Sequence, residues 1–343
     1  MTSTQSNQPI VVENSKGKVV MRTFGTVKFR YVVDTLGDAD SDFQFVEFLG
    51  QDGTGQYPGL STCNLAGQVI GTGSAKRLTA RPLGSTASPL GYYEYLPPGY
   101  RSGGRNAPKA PLLIFLHGFE GSGDGSAEQL PAVINDTAIP SYIANNGWPR
   151  DRPFVVLAPQ HDYVPSEQYP YPCDGPLPGS CVAQLQHRYG NPLPAGSVCV
   201  TPGEVEAFLD YALAHYNVDP TRVYLTGLSC GAYGVWESLA QWAPGRIAAA
   251  VPIAGDGRPV VADAGCRPAA VPIWAFHGDA DDVVDPLGST DAVKTLQACP
   301  APHADIELTV YPGVDHGSWD HAYSGSQGQD IYSWMLSKTT AAP

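Results

Sequence analysis

The chain is short of charge, and of positive charge above all: charged residues make up 15% of its 343 positions, and 20 Lys and Arg face 33 Asp and Glu, a net charge of −13. A basic face that could neutralise phosphates is missing, which excludes a nucleic-acid binder, and the acidic excess argues against docking on anionic lipid. No run of about 18 apolar residues occurs, so nothing reads as a membrane span. The opening MTSTQSNQPIVVENSKGK lacks the apolar core of a signal peptide, so any such peptide is expected to have been removed. None of the seven cysteines forms a C-x-x-C pair, which removes the usual zinc and dithiol signatures, and no repeat of fixed period is visible. Low charge is not matched by low hydrophobicity. With 43% hydrophobic residues the chain should fold, and its 38 Gly and 32 Pro predict many turns and long loops.

Cysteine usage points to an oxidising, exported setting, extracellular or periplasmic. Cys173 with Cys181 and Cys266 with Cys299 are close pairs in Pro- and Gly-rich loops, where a cross-link constrains the unfolded chain at little cost in native strain. The odd count leaves at least one of the seven, which also include Cys63, Cys199 and Cys230, unpaired.

The length suits one large domain with an appendage. Residues 1–20 are polar and read as a lead-in, and 21–90 as a small β-rich region with strand-like runs VKFRYVVD and FQFVEFL. From 91 to 343 strands alternate with helices. The runs LLIFL, FVVLA, VYLT, IAAAVPIA, IWAF and IELTVY are apolar without alternation, as in strands buried on both faces. They predict an α/β domain with a mainly parallel sheet covered by helices. Thr201-Pro202-Gly203-Glu204 reads as a capping box, followed by Val205, Phe208, Leu209, Ala212, Leu213 and Tyr216 on one helical stripe. A second helix is expected from Ala232 to Trp242, stopped by Pro244-Gly245.

The sharpest motif is TGLSCGAYG, with G-x-S-x-G at Gly227, Ser229 and Gly231 between the strand RVYLT and the helix AYGVWESLA. A serine hydroxyl needs a base to take its proton, and the base needs an acid to orient it, in chain order Ser, acid, His. His316 in YPGVDHGSW follows a strand by a short turn and is the expected base, with His321 second; His277 reads as structural and His303 as a loop residue. The turn AFHGDADDVVDP offers Asp281 as acid, with Val283 and Val284 packing inward, ahead of Asp282 and of Asp256 after IAAAVPIA. Backbone N–H groups of Cys230 and of Phe119, in HGFEGSGDG, are the expected oxyanion donors, and His117 a brace for that loop. The insertion 161–200 carries Tyr163, Tyr169, Tyr171 and Tyr189 and either walls the cleft or packs on itself. Trp319 reads as cleft wall or core filler, and Trp148 and Trp274 as core.

In these stretches, together with LGYYEYLPPGY and FVVLAPQ, the chain resembles the α/β-hydrolase superfamily, specifically its exported esterase and predicted-peptidase branch. That branch is similar to polyhydroxybutyrate depolymerases, feruloyl and acetylxylan esterases and dienelactone-hydrolase-like proteins. The resemblance covers residues 91 to 338 and implies Ser229 as nucleophile, Asp281 as acid, His316 as base, and Phe119 and Cys230 as oxyanion donors. The expected activity is that of a serine esterase acting on small or polymeric carboxylic esters of carbohydrate, aryl or polyester type; no cofactor or metal is required for it, and a monomer is favoured. Cys230 departs from the Met of many relatives. In tannase-like feruloyl esterases a cysteine there bridges to one beside the catalytic histidine, but Asp315 and Gly317 flank His316 here, so Cys230 is either the unpaired thiol or bonded elsewhere. Two competing expectations are a prolyl-oligopeptidase-type serine peptidase and a non-catalytic binding protein on the same scaffold.

Overall fold

A computed structural model describes the backbone of four N-terminal strands and residues 77–104, 107–161, 202–301 and 303–341. The chain divides into two compact units, Met1–Lys76 and Arg77–Pro343. In the first, β1 (Pro9–Glu13) pairs antiparallel with β2 (Val19–Phe24), and β3 (Lys28–Val32) with β4 (Phe45–Leu49). Strand β1 falls in the stretch expected to be a polar lead-in; its PIVVE is rich in β-branched residues, which favour extended backbone.

The second unit holds an eight-stranded sheet built from β5 (Thr79–Arg81), β6 (Tyr92–Tyr95), β7 (Ala110–Leu116), β8 (Val155–Pro159), β9 (Val218–Leu228), β10 (Ala249–Ile253), β11 (Ile273–Gly278) and β12 (Ile306–Tyr311). Their order is β12-β11-β10-β9-β7-β8-β6-β5. The six strands from β8 to β12 are parallel, and β6 and β5 add an antiparallel edge. All six apolar runs are thus strands. The sheet starts before residue 91, because Thr79–Arg81 pairs with Tyr92–Glu94; three residues are too few to show periodicity in a sequence.

The apolar runs do not alternate because both faces of the sheet are buried. Along β7, Leu112, Ile114 and Leu116 join one core while Leu113 and Phe115 join the other. The first core is covered by α2 (Pro202–His215), α3 (Cys230–Gln241), α4 (Arg258–Ala264) and α5 (Leu287–Gln297). The second is covered by α1 (Ile139–Ala144), α6 (Trp319–Ser324) and α7 (Ile331–Leu336). Val205, Phe208, Leu209 and Ala212 of the expected stripe are buried on α2, while Thr201 of the capping box lies outside the described residues. Burying one such Val, Leu or Phe side chain stabilises by roughly 1.5–3 kcal/mol, so the stripe suffices to hold α2 on the sheet. Trp148 is fully buried, whereas Trp274 is only half-buried at the core's margin, its Nε1–H donating to Thr309 Oγ1 (3.0 Å). Among the described residues no helix is long and apolar enough to cross a membrane.

Candidate active site

Strand β9 ends at Leu228 and α3 begins at Cys230, which leaves one residue to make the reversal. Ser229 makes it at φ 49° and ψ −118°, a positive φ that a side chain rarely adopts. Its N–H donates to Ile253 O on β10 (2.9 Å), and its carbonyl accepts from Ala232 N (2.9 Å) and Tyr233 N (3.2 Å) of the first helical turn. The two motif glycines are required by space. A Cβ at Gly227 would meet the carbonyl of Gly231, and one at Gly231 would meet the carbonyls of Leu116 and His117. The start of α3 therefore rests directly on the end of β7 and on the loop that carries Phe119.

Neighbouring parallel strands β11 and β12 supply the other two groups. Their following loops are tied together: Asp279 N donates to Tyr311 O (3.1 Å), Ala280 N to Val314 O (3.0 Å), and Gly313 N to Asp279 Oδ1 (2.6 Å). A Cβ at Gly278 would strike the carbonyls of Val314 and Asp315, so only glycine lets the loops approach this closely. The result is a hydrogen-bonded line. Ser229 Oγ lies 2.9 Å from His316 Nε2, and His316 Nδ1 lies 2.8 Å from Asp281 Oδ2. The Asp281 side chain is fully buried, while that of His316 is 18% exposed, so the line runs from the interior to an accessible hydroxyl.

Asp281 Oδ1 accepts from Val283 N (2.9 Å) and Val284 N (2.8 Å), and Oδ2 is also 3.1 Å from His277 Nε2. Burial pushes this carboxyl up, but hydrogen bonds from His277 and His316 outweigh it and hold Asp281 well below the usual carboxylate range. The carboxylate form is the one that can orient a neutral imidazole.

Of the alternatives, Asp282 is exposed and away from this line, and Asp256 and Asp285 are both spent on Arg258, with contacts of 2.6 and 3.0 Å. His321 bonds Ser326 Oγ, and His303 bonds Ala304 O. One expectation is corrected: Val284 packs inward, but Val283 is 52% exposed. Both backbone N–H groups turn toward Asp281, and a turn that tight sends successive side chains to opposite sides. Trp319 meets the His316 ring edge-on, with centroids 5.0 Å apart, and is half-buried.

A model of the dienelactone hydrolase family matches residues 199–329, a stretch that contains Ser229, Asp281 and His316. Among curated proteins, a bifunctional acetylxylan esterase/xylanase of Neocallimastix patriciarum is 37% identical over 81 residues, covering 24% of this chain and 12% of that one. Among solved structures, a thermostable esterase aligns with 26% identity and a TM-score of 0.50, covering 76% of this chain and 62% of that one. The chain has an α/β-hydrolase fold. An acetyl xylan esterase from Aspergillus awamori aligns at 16% identity and a TM-score of 0.44, over 72% of this chain and 98% of that one. The chain thus spans less than two thirds of the length of the first two of these relatives.

On this α/β-hydrolase scaffold the loop after β7 is braced from within. The fully buried His117 donates from Nδ1 to Gly118 O (2.6 Å) and accepts at Nε2 from His161 N (3.2 Å), and the His161 ring stacks on it at 4.0 Å. Burial lowers the His117 imidazole to about 4, with the Gly118 carbonyl acting in the opposite sense, so the ring is neutral at ordinary pH. Asp136, which the sequence reading did not single out, packs its carboxylate toward Gly118. Burial raises it to about 6, the Glu120 charge adding to the rise and His316 opposing it.

Cys230 is disulfide-bonded. The other described cysteines, Cys266 and Cys299, bond each other, so the second half of the Cys230 bridge lies outside the described residues. Cys266–Cys299 is the pair expected from spacing. Cys173 and Cys181, together with Tyr163, Tyr169, Tyr171 and Tyr189, lie outside the described residues. Among the described residues no three His, Cys, Asp or Glu side chains gather to hold a metal ion.

Proposed function

We propose that this chain is a serine esterase that hydrolyses carboxylic esters through an acyl-enzyme. The observation that carries the reading is the continuous Ser229–His316–Asp281 hydrogen-bond line ending on a hydroxyl held at positive φ. His316 Nε2 takes the Ser229 proton as Oγ bonds to the ester carbonyl carbon. The N–H groups of Cys230 and Phe119 receive the oxyanion, and Asp281 orients the imidazole and stabilises its cation. The carbonyl reforms as the alcohol leaves with the proton from His316. Water then delivers a proton to His316 and its oxygen to the acyl carbon, and Ser229 departs with that proton.

Esters are preferred to amides as substrates because the alcohol is the better leaving group, and the acylated carbohydrate named for the curated relative makes acetylated polysaccharide the first substrate to try. Aryl esters and polyesters come next. The Cys266–Cys299 and Cys230 disulfides favour an exported protein. Labelling by a fluorophosphonate, blocked in Ser229→Ala, tests the nucleophile. Release of acetate from acetylated xylan, compared with turnover of aryl esters of graded acyl length and of matched amides, tests the substrate class. Faster cleavage of the amides would instead favour a peptidase, and failure of Ser229 to label would favour a binding protein.

A further inference from the structure

His277 ends β11 with no exposure at all. Its Nδ1 is 2.8 Å from Ser289 Oγ on α5, a hydroxyl that also lies 3.0 Å from Gly255 O. Its Nε2 faces two acceptors and no donor, Val284 O at 3.0 Å and Asp281 Oδ2 at 3.1 Å. A ring nitrogen between two oxygens that carry no proton must itself carry one. Asp281 therefore receives Val283 N and Val284 N on Oδ1 and faces His316 Nδ1 with Oδ2, and the same Oδ2 lies 3.1 Å from His277 Nε2, which it shares with Val284 O.

We propose that His277 is a positioning residue for the active site: its Nε2–H clamps the Asp281 carboxylate so that Oδ2 is aimed at His316. The carboxylate cannot rotate away from His316 without breaking the contact to His277. Other titratable groups near this pair are Tyr233 on α3, whose hydroxyl the Asp281 charge helps to raise, and Asp136, which His316 lowers. Both are unchanged in the variants below.

This inference rests on the reading of Ser229, His316 and Asp281 as a triad. The test uses two replacements of similar size that keep different halves of the ring. Gln places an amide near the position of Nε2, and Asn places one near Nδ1. His277→Gln is expected to keep kcat within about 5-fold of the parent, and His277→Asn to lower it about 10- to 100-fold with KM within 2-fold. Equal losses in the two variants, or a loss confined to KM, would overturn the proposal. Ser229→Ala assayed in parallel separates the two readings, since retained turnover there condemns the triad and not the clamp. A second readout needs no stable variant: nitrogen NMR of the intact, ¹⁵N-histidine-labelled protein should show a buried histidine protonated at Nε2, the opposite ring nitrogen from the one His316 turns to Asp281. A bare Nε2 at His277 would sink the clamp whatever the kinetics.

Discussion

Two strands of this sheet end in the same way: LLIFL runs into His117-Gly118 and IWAF into His277-Gly278, and both histidines have no exposure. The protons nevertheless sit on opposite nitrogens. His117 donates from Nδ1 to Gly118 O and uses Nε2 as an acceptor from His161 N–H, whereas His277 has oxygens only at Nε2. One ring braces the loop expected to stabilise the oxyanion, and the other braces the acid. The shared His-Gly ending thus leaves the tautomer open, because the tautomer is set by what the opposite end of the ring meets. For His117 that is a backbone N–H just past the end of β8; for His277 it is a carboxylate four residues further along the chain.

The largest expected effect removes the partner that distinguishes the two histidines. Asp281→Asn should lower kcat by about 10⁴-fold, since an amide cannot hold His316 in the required tautomer. A loss below about 10-fold would mean that Asp281 orients nothing. Because Asp281 is held below its ordinary range, its ionised form stabilises the fold above the unfolded carboxyl value of about 4, and that contribution is lost as pH falls. Asp281→Asn should therefore also melt earlier at pH 7, with the gap closing toward pH 3.

Next comes reciprocity. At position 277 Gln should outperform Asn; at position 117, where the donor is Nδ1, Asn should outperform Gln, with His117→Gln lowering kcat about 10-fold. The same preference at both sites, read from kcat, would erase the contrast drawn above.

A third test acts on stability alone. Cys266–Cys299 closes a sequence separation of 33 residues, and Cys299 follows α5, the helix whose Ser289 holds His277. Replacing both cysteines by Ala should cost about 3–4 kcal/mol and lower Tm by roughly 10 °C, with kcat unchanged at 25 °C. A drop in kcat would show that His277 depends on the staple as well as on the sheet.

The smallest effect lies on the His117 side. Asp136 titrates near 6 in the fold and near 4 when unfolded, so its charge opposes folding above pH 6 and costs nothing below about pH 4. Asp136→Asn should raise Tm by ~3 °C at pH 8 and leave it unchanged at pH 4 in a thermal melt.

The sheet, the serine turn and the pair Asp281 and His316 were all legible in the sequence, because each leaves a local mark: apolar runs without alternation, glycines flanking a serine, and loops one strand apart. The long-range contacts were not legible. Nothing in IWAFHGDADD says that His277 curls back onto Asp281, or that Asp279 bonds Gly313 to fasten two loops. Asp136 gave no signal because its environment is made by Gly118 and Glu120, distant in sequence and absent from any motif. Val283 was misread because alternating burial in a turn is governed by where its N–H groups bond. Strand β5 was missed because its three residues carry no pattern without β6 beside them.

The strand order has a consequence for changes of chain length. Ser229, Asp281 and His316 all leave β9, β11 and β12, on one side of β7, while the long stretch 162–201 enters between β8, on its other side, and α2. Ser229, Asp281 and His316 are therefore carried by strands that a change of chain length between β8 and α2 does not interrupt.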